Sequence, residues 1–183
     1  MKSLPFALAT LALIGAGFTA APAYAAPPEC TPAGDCTAYR NRLTFPANAL
    51  SYGGPAPFVL EARGVTWGSN SGTATLTVRR PLDFRGDKLR LTFVYQATSG
   101  LPGTNVFAVD AITFHHGSGF ETYGGFLSPE LALPEDETAL LEQSVTVEPG
   151  EGWNPDGPWW YFEIHRQGSY NASLRLMAVT LEY

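Results

Sequence analysis

Leu89-Arg90-Leu91-Thr92-Phe93-Val94-Tyr95-Gln96 decides the fold. Leu89, Leu91, Phe93 and Tyr95 alternate with Arg90, Thr92, Val94 and Gln96. This is the two-residue period of a strand with one buried face. The same period recurs through the chain. Thr73–Val78 places Ala74, Leu76 and Val78 on one face and three threonines on the other. Trp160, Phe162 and Ile164 alternate with Trp159, Tyr161, Glu163 and His165.

One stretch is apolar in both phases. Val106, Ala108, Ile112 and Phe114 share one phase, and Phe107, Val109 and Ala111 fill the other, which predicts a central strand. Asp110 falls in the phase of Val106, Ala108 and Ile112. Read as an inward carboxylate, it needs a partner such as Arg90 or Arg175. In the last strand Leu174 and Leu176 share one phase, but Met177, Val179, Leu181 and Tyr183 share the other. A β-bulge near Leu176-Met177 absorbs that slip.

Weaker alternation at Arg42–Phe45, Phe58–Trp67 and Ser144–Val147 brings the count to about eight strands. Turn-forming clusters separate them, such as Gly68–Gly72 and Asp83–Asp87. The pattern predicts an all-β fold, an antiparallel β-sandwich of the jelly-roll kind. Only Pro134–Gln143 reads as a helix, because Glu135, Asp136 and Glu137 would sit at its positive N-terminal end.

The chain has 183 residues, and its start has the form of an export signal. Lys2 carries a positive charge, Leu4–Thr19 is an apolar run, and Ala23-Tyr24-Ala25 fits signal-peptidase cleavage after Ala25. The expected organisation is a signal peptide at 1–25, an irregular arm at 26–40 and a single sandwich domain at 41–183. The expected location is outside the cytoplasm, periplasmic or secreted, and the composition has a bacterial character. No later stretch approaches the ~20 apolar residues of a membrane helix, so the mature chain is expected to have no span.

The formal net charge is −6, and loss of Lys2 makes it one unit more negative. An acidic domain repels phosphate backbones, which argues against nucleic acid as a partner. Cys30 and Cys36 lie in an exported chain and are read as a disulfide pinning the arm. Their spacing is not that of a thiol–disulfide redox pair.

Several segments resemble poorly characterised β-sandwich proteins of bacteria and of phages, where they are structural or tail-associated. The matching pieces are Phe45–Leu50, Arg79–Gly86, Leu91–Thr98 and Leu174–Tyr183. The resemblance implies a sandwich fold over most of 43–183 and carries no catalytic residues across. The export signal and the cysteine arm depart from the phage pattern.

Chemistry has few footholds. Ser118 has no nucleophile-elbow pattern around it and reads as a turn residue, whether or not His115, His116 or His165 lies near. His115-His116 reads as a strand end rather than a metal site, since neighbouring side chains in a strand point to opposite faces. His165 reads as solvated. Asp110, Glu121 and Glu163 are the carboxylates that a glycosidase would need in pairs, but a structural ion pair accounts for Asp110 as well. Glu135-Asp136-Glu137 matches no calcium loop. No metal and no cofactor is expected.

Three of the four tryptophans stand in Trp153-Asn154-Pro155-Asp156-Gly157-Pro158-Trp159-Trp160-Tyr161. With Trp160 inward, Trp159 and Tyr161 face outward. Exposed rings beside polar groups are what sugar recognition uses. Trp153, Asn154, Asp156, Trp159 and Tyr161 are therefore the candidate ligand-binding residues. The competing reading makes the rings core or subunit contact. The expected function is a non-catalytic exported module binding a surface glycan or protein. Homo-oligomeric assembly is the alternative, and a small hydrolase ranks last.

Overall fold

The alternating runs become strands of two antiparallel sheets. The computed structural model describes residues 39, 41–55, 58–68, 72–117, 120–150 and 153–183. The export signal, the Cys30/Cys36 pair, the cleavage site and Ser118 lie outside the described residues.

In the first sheet β10 (Leu141–Val147), β6 (Leu89–Ala97) and β12 (Leu174–Glu182) run side by side. β1 (Arg42–Pro46) pairs with the second half of β12, and β4 (Gly64–Trp67) with the first half. β3 (Phe58–Glu61) closes that edge as a hairpin with β4. The second sheet runs β2 (Ser51–Gly53), β5 (Thr73–Arg79), β11 (Trp159–Gln167), β7 (Thr104–Phe114), β8 (Phe120–Leu127). β9 (Leu131–Ala132) pairs with the start of β7. Most connections carry the chain from one sheet to the other, as in jelly rolls.

Twelve strands among the described residues exceed the expected eight because β2, β8 and β9 were not expected and one expected run divides into two. Phe58–Trp67, read as one run, is the β3–β4 hairpin. β7 is central, as its two apolar faces require, with β11 on one side and β8 on the other.

The inward residues are those the alternation selects. Leu89, Leu91, Phe93 and Tyr95 from β6 are fully buried, as are Trp160, Phe162 and Ile164 from β11. Phe107 on β7 reaches across, stacking on Phe93 (4.2 Å between centroids, 22°) and meeting Tyr95 edge-on at 5.3 Å. This burial supplies most of the driving force.

The bulge falls where the phase slip requires it. Leu176 pairs with Tyr95 and Ala178 with Val94, so Met177 is the extra residue. Leu174 and Leu176 before it, and Val179 and Leu181 after it, therefore all face the core. Gly64 makes room: its φ is +149°, and a Cβ there would overlap the Leu176 carbonyl.

Two expectations fail. Pro134–Gln143 is not helical. Asp136 Oδ1 accepts bonds from Thr138 N–H (2.8 Å) and Oγ1 (2.7 Å), making a turn, and 141–143 already belong to β10. The extended form lets Leu141, Gln143 and Val145 pair along β6. Asp110 is not inward either. Phe107, Val109 and Ala111 take the core, where Phe107 fills the space against Phe93 and Tyr95, and Asp110 is left on the outer face. Arg90 instead pairs with Glu182 (2.6 Å) and Arg175 with Glu61 (2.9 Å).

One end of the core is polar. Gln143 donates to Asn105 O, Ser128 Oγ and Pro129 O, and its Oε1 accepts from Tyr95 and Asn105. Arg166 is 2% exposed and donates to the carbonyls of Trp67, Tyr170 and Ala172. Burial pushes its guanidinium down to about 10, against the pull of Tyr170 and Tyr95.

Candidate functional site

The outer face of the second sheet gathers most of the chemistry. On β11 the outward residues are Trp159, Tyr161, Glu163 and His165, each spaced by ~6.8 Å. Antiparallel register sets their neighbours. Trp159 is opposite Phe114 on β7, Tyr161 opposite Ile112, Glu163 opposite Asp110, and His165 opposite Ala108. On the far side of β7, Ile112 faces Tyr123 and Asp110 faces Gly125. On the near side, β5 presents Arg79, Thr77, Thr75 and Thr73 to the same four β11 residues.

The middle of this face is a polar knot. His165 Nε2 lies 3.5 Å from Asp110 Oδ2 and 3.5 Å from Glu163 Oε1. His165, read as solvated, is instead half-buried between two carboxylates. Directly opposed like charges destabilise a sheet, and the imidazole is placed to offset this when protonated. A hydrogen bond to Asp110 raises the Tyr123 phenol above its ordinary value, with slight burial and the charges of Asp110 and Glu163 acting in the same direction. Gly125 leaves the room above the sheet that the Asp110 carboxylate occupies, since a Cβ there would come within 3.3 Å of Oδ1.

Rings lie in the two rows on the Trp159 side of the knot. Trp159 is 43% exposed and Tyr123 50%, whereas fully buried tryptophans such as Trp160 and Trp67 are at 0% and 1%. Tyr161 is half-buried and held edge-on by Phe114 (6.1 Å, 77°). The arrangement offers flat apolar surfaces beside hydrogen-bonding acids and an imidazole.

The five residues predicted from sequence divide. Trp159 and Tyr161 stand on the face. Trp153 does not: it is 2% exposed and packs on Trp160 at 6.3 Å, and its Nε1 has no hydrogen-bond partner among the described residues. Asn154 and Asp156 lie in the loop that Trp153 anchors. Asn154 Oδ1 accepts from Asp156 N–H (2.9 Å), Asn154 O accepts from Thr113 Oγ1 (2.7 Å), and Trp160 Nε1 donates to Pro155 O (3.0 Å). The loop is thereby clamped to the end of β7, just before Trp159. Gly157 permits this, since a Cβ would overlap the Thr113 side chain.

Sequence reasoning missed Tyr123 and Arg79 as members of the face, because their membership depends on register between strands distant in the chain. It named Asp110 and Glu163 without placing them together. His115 and His116 follow the end of β7, and among the described residues no group of three or more His, Cys, Asp or Glu could hold a metal ion. No described helix is long and apolar enough to cross a membrane.

The outer face of the first sheet is different in kind. Thr44 and Thr180 (3.4 Å), and Thr92 and Ser144 (2.8 Å), hydrogen-bond to each other, and Glu182 is shared by Arg90 and Arg42. Its polar groups are largely turned on one another.

The fold is thus an all-β, two-sheet antiparallel sandwich. No family model matches the chain, and no curated protein matches it either. Among solved structures it is similar to the CBM36-1 domain of a multidomain xylanase from the hindgut metagenome of Trinervitermes trinervoides. There the identity is 14% and the TM-score 0.45, covering 78% of this chain and 97% of that one. The xylan-binding module CBM15 gives 14% identity and a TM-score of 0.43, covering 79% and 92%. An exo-β-1,3-galactanase from Phanerochaete chrysosporium gives 12% and 0.44, with 77% of this chain and 29% of that one covered.

Proposed function

We propose that the protein is an exported, non-catalytic module that binds a glycan on the outer face of its second sheet. One observation carries this reading. Trp159, Tyr161 and Tyr123 stand beside the Asp110–His165–Glu163 knot on a single solvent-facing surface. Sugar rings offer C–H faces for stacking and hydroxyls for carboxylate and imidazole partners. The rings supply contact area, and the knot fixes orientation.

The carboxylate pair argues for binding rather than cleavage. Glycoside hydrolysis needs two acids flanking the scissile bond. Asp110 and Glu163 are side-by-side cross-strand neighbours, with side chains pointing from the same surface and shared by one imidazole. A sugar laid on this face meets both from below.

The test is affinity electrophoresis and a glycan array on the purified protein, with light scattering beside them. Retention by polysaccharide that is lost in Trp159→Ala and weakened in Glu163→Gln supports the proposal. A stable dimer that buries Trp159 and binds no glycan would replace it with assembly through this face.

A further inference from the structure

At the Trp159 end of the face three arginines converge. Arg79, the last residue of β5, stands opposite Trp159. One step further, Arg80 N–H donates to Pro158 O at 2.9 Å, so the two chains stay joined beyond the ladder. The chain then turns, with Phe84 N–H donating to Pro81 O (3.2 Å), and Arg85 comes back towards the same place. Arg79, Arg80 and Arg85 line a cleft of about 350 Å³ together with Phe84, Asp156 and Pro158.

The cleft is braced by hydrogen bonds from Arg80 and Arg85 but not electrically satisfied. Arg80 lies over the Phe84 ring at 5.4 Å, donates through Nη1 to Asp156 O (3.1 Å) and stands 3.8 Å from Asp156 Oδ1. Arg85 donates through Nη1 to the carbonyls of Leu82 (2.7 Å) and Phe84 (2.9 Å). A guanidinium carries five N–H donors. The Nε and Nη2 groups of Arg80 and Arg85, and the whole head of the exposed Arg79, have no partner among the described residues. Among the described residues Asp156 is the only carboxylate lining the cleft, against three positive charges, in a chain whose net charge is −6. The local charge is opposite in sign to that of the whole.

We infer that the glycan is acidic: a sugar stacked on Trp159 places a carboxylate or sulfate group in the Arg79/Arg80/Arg85 cleft. This rests on the glycan-binding reading above. Planar guanidinium forks match such oxyanions in two-point hydrogen bonds, which are stronger than neutral ones. The cleft adjoins the tryptophan through Pro158 and through Arg79, which stands opposite Trp159.

The test is an array carrying uronate polymers beside their carboxyl-reduced forms, and sulfated polymers beside their desulfated forms. Acidic forms should bind at least about tenfold more tightly than neutral ones, as expected for charge-assisted bonds. The pair that shows the difference identifies the group. Arg79→Gln should shrink the difference without lowering the melting temperature, since Arg79 holds no part of the fold. Trp159→Ala should weaken every form. Equal binding of acidic and neutral forms, or hits confined to neutral polymers, overturns the acidic inference and leaves glycan binding standing. Retention of all polyanions that Trp159→Ala does not change also overturns it. A blank array removes both.

Discussion

Asp110 and Glu163 stand directly opposite each other on β7 and β11, and one imidazole, that of His165, lies 3.5 Å from an oxygen of each. Two carboxylates in register are a local conflict that a sheet selected for stability alone would not keep. Such conflicts gather where a surface has work to do.

Glu163→Gln should therefore stabilise the fold. Removing one of two opposed charges is worth roughly 0.2–1 kcal/mol, read as a higher urea midpoint. The same variant should bind polysaccharide less well. A variant that is less stable and binds unchanged would mean that the pair is structural.

The two flanking tryptophans should separate stability from binding. Trp153→Ala removes a 2%-exposed ring packed on Trp160 and should cost about 3–5 kcal/mol. Trp159→Ala removes a ring that is 43% exposed and should cost no more than about 1 kcal/mol while abolishing binding. Urea titration of both variants beside affinity electrophoresis checks the split, and equal losses of stability would contradict it.

Glu182 should make part of the stability depend on acid pH. Burial alone would raise its carboxyl, but hydrogen bonds from Arg90 (2.6 Å) and Arg42 (3.1 Å) outweigh that and hold it below its ordinary value of 4.5. A depressed folded value gives stability that is present above the unfolded value and lost as pH falls through the folded one. Wild type should exceed Glu182→Gln at pH 7, and the two should converge in acid. Parallel curves across the whole range would refute the assignment.

Gly64→Ala should be costly although the change is one methyl group. The added Cβ meets the Leu176 carbonyl at the bulge, and φ is +149°. The expected loss is about 1–3 kcal/mol, read as a lower melting temperature. An unchanged melting temperature would show that β4 can shift away from the bulge at no cost.

Much of the sandwich was legible because one-sided burial writes itself into the chain as a two-residue period. The β6 face, the inward Trp160-Phe162-Ile164 and the bulge at Met177 all follow from that period. Inward Arg166 was within reach too: it continues the Trp160 phase by one more step, but an arginine in a core phase is read as the end of the strand. β8 was missed because Gly124-Gly125 interrupts its apolar pattern.

By itself the sequence determined the fold class, the longer alternating strands and the outward phase of Trp159 and Tyr161, all of which depend on residues near one another in the chain. Only the tertiary structure decided which face of β7 is the inside, that Trp153 is core, and that Asp110, Tyr123, Glu163 and His165 meet. Where both phases of a strand are apolar, local periodicity is silent. The choice then falls to packing, here Phe107 against Phe93 and Tyr95. The three arginines come together for the same reason: a turn and a register pairing bring Arg79, Arg80 and Arg85 beside a loop more than seventy residues further along the chain.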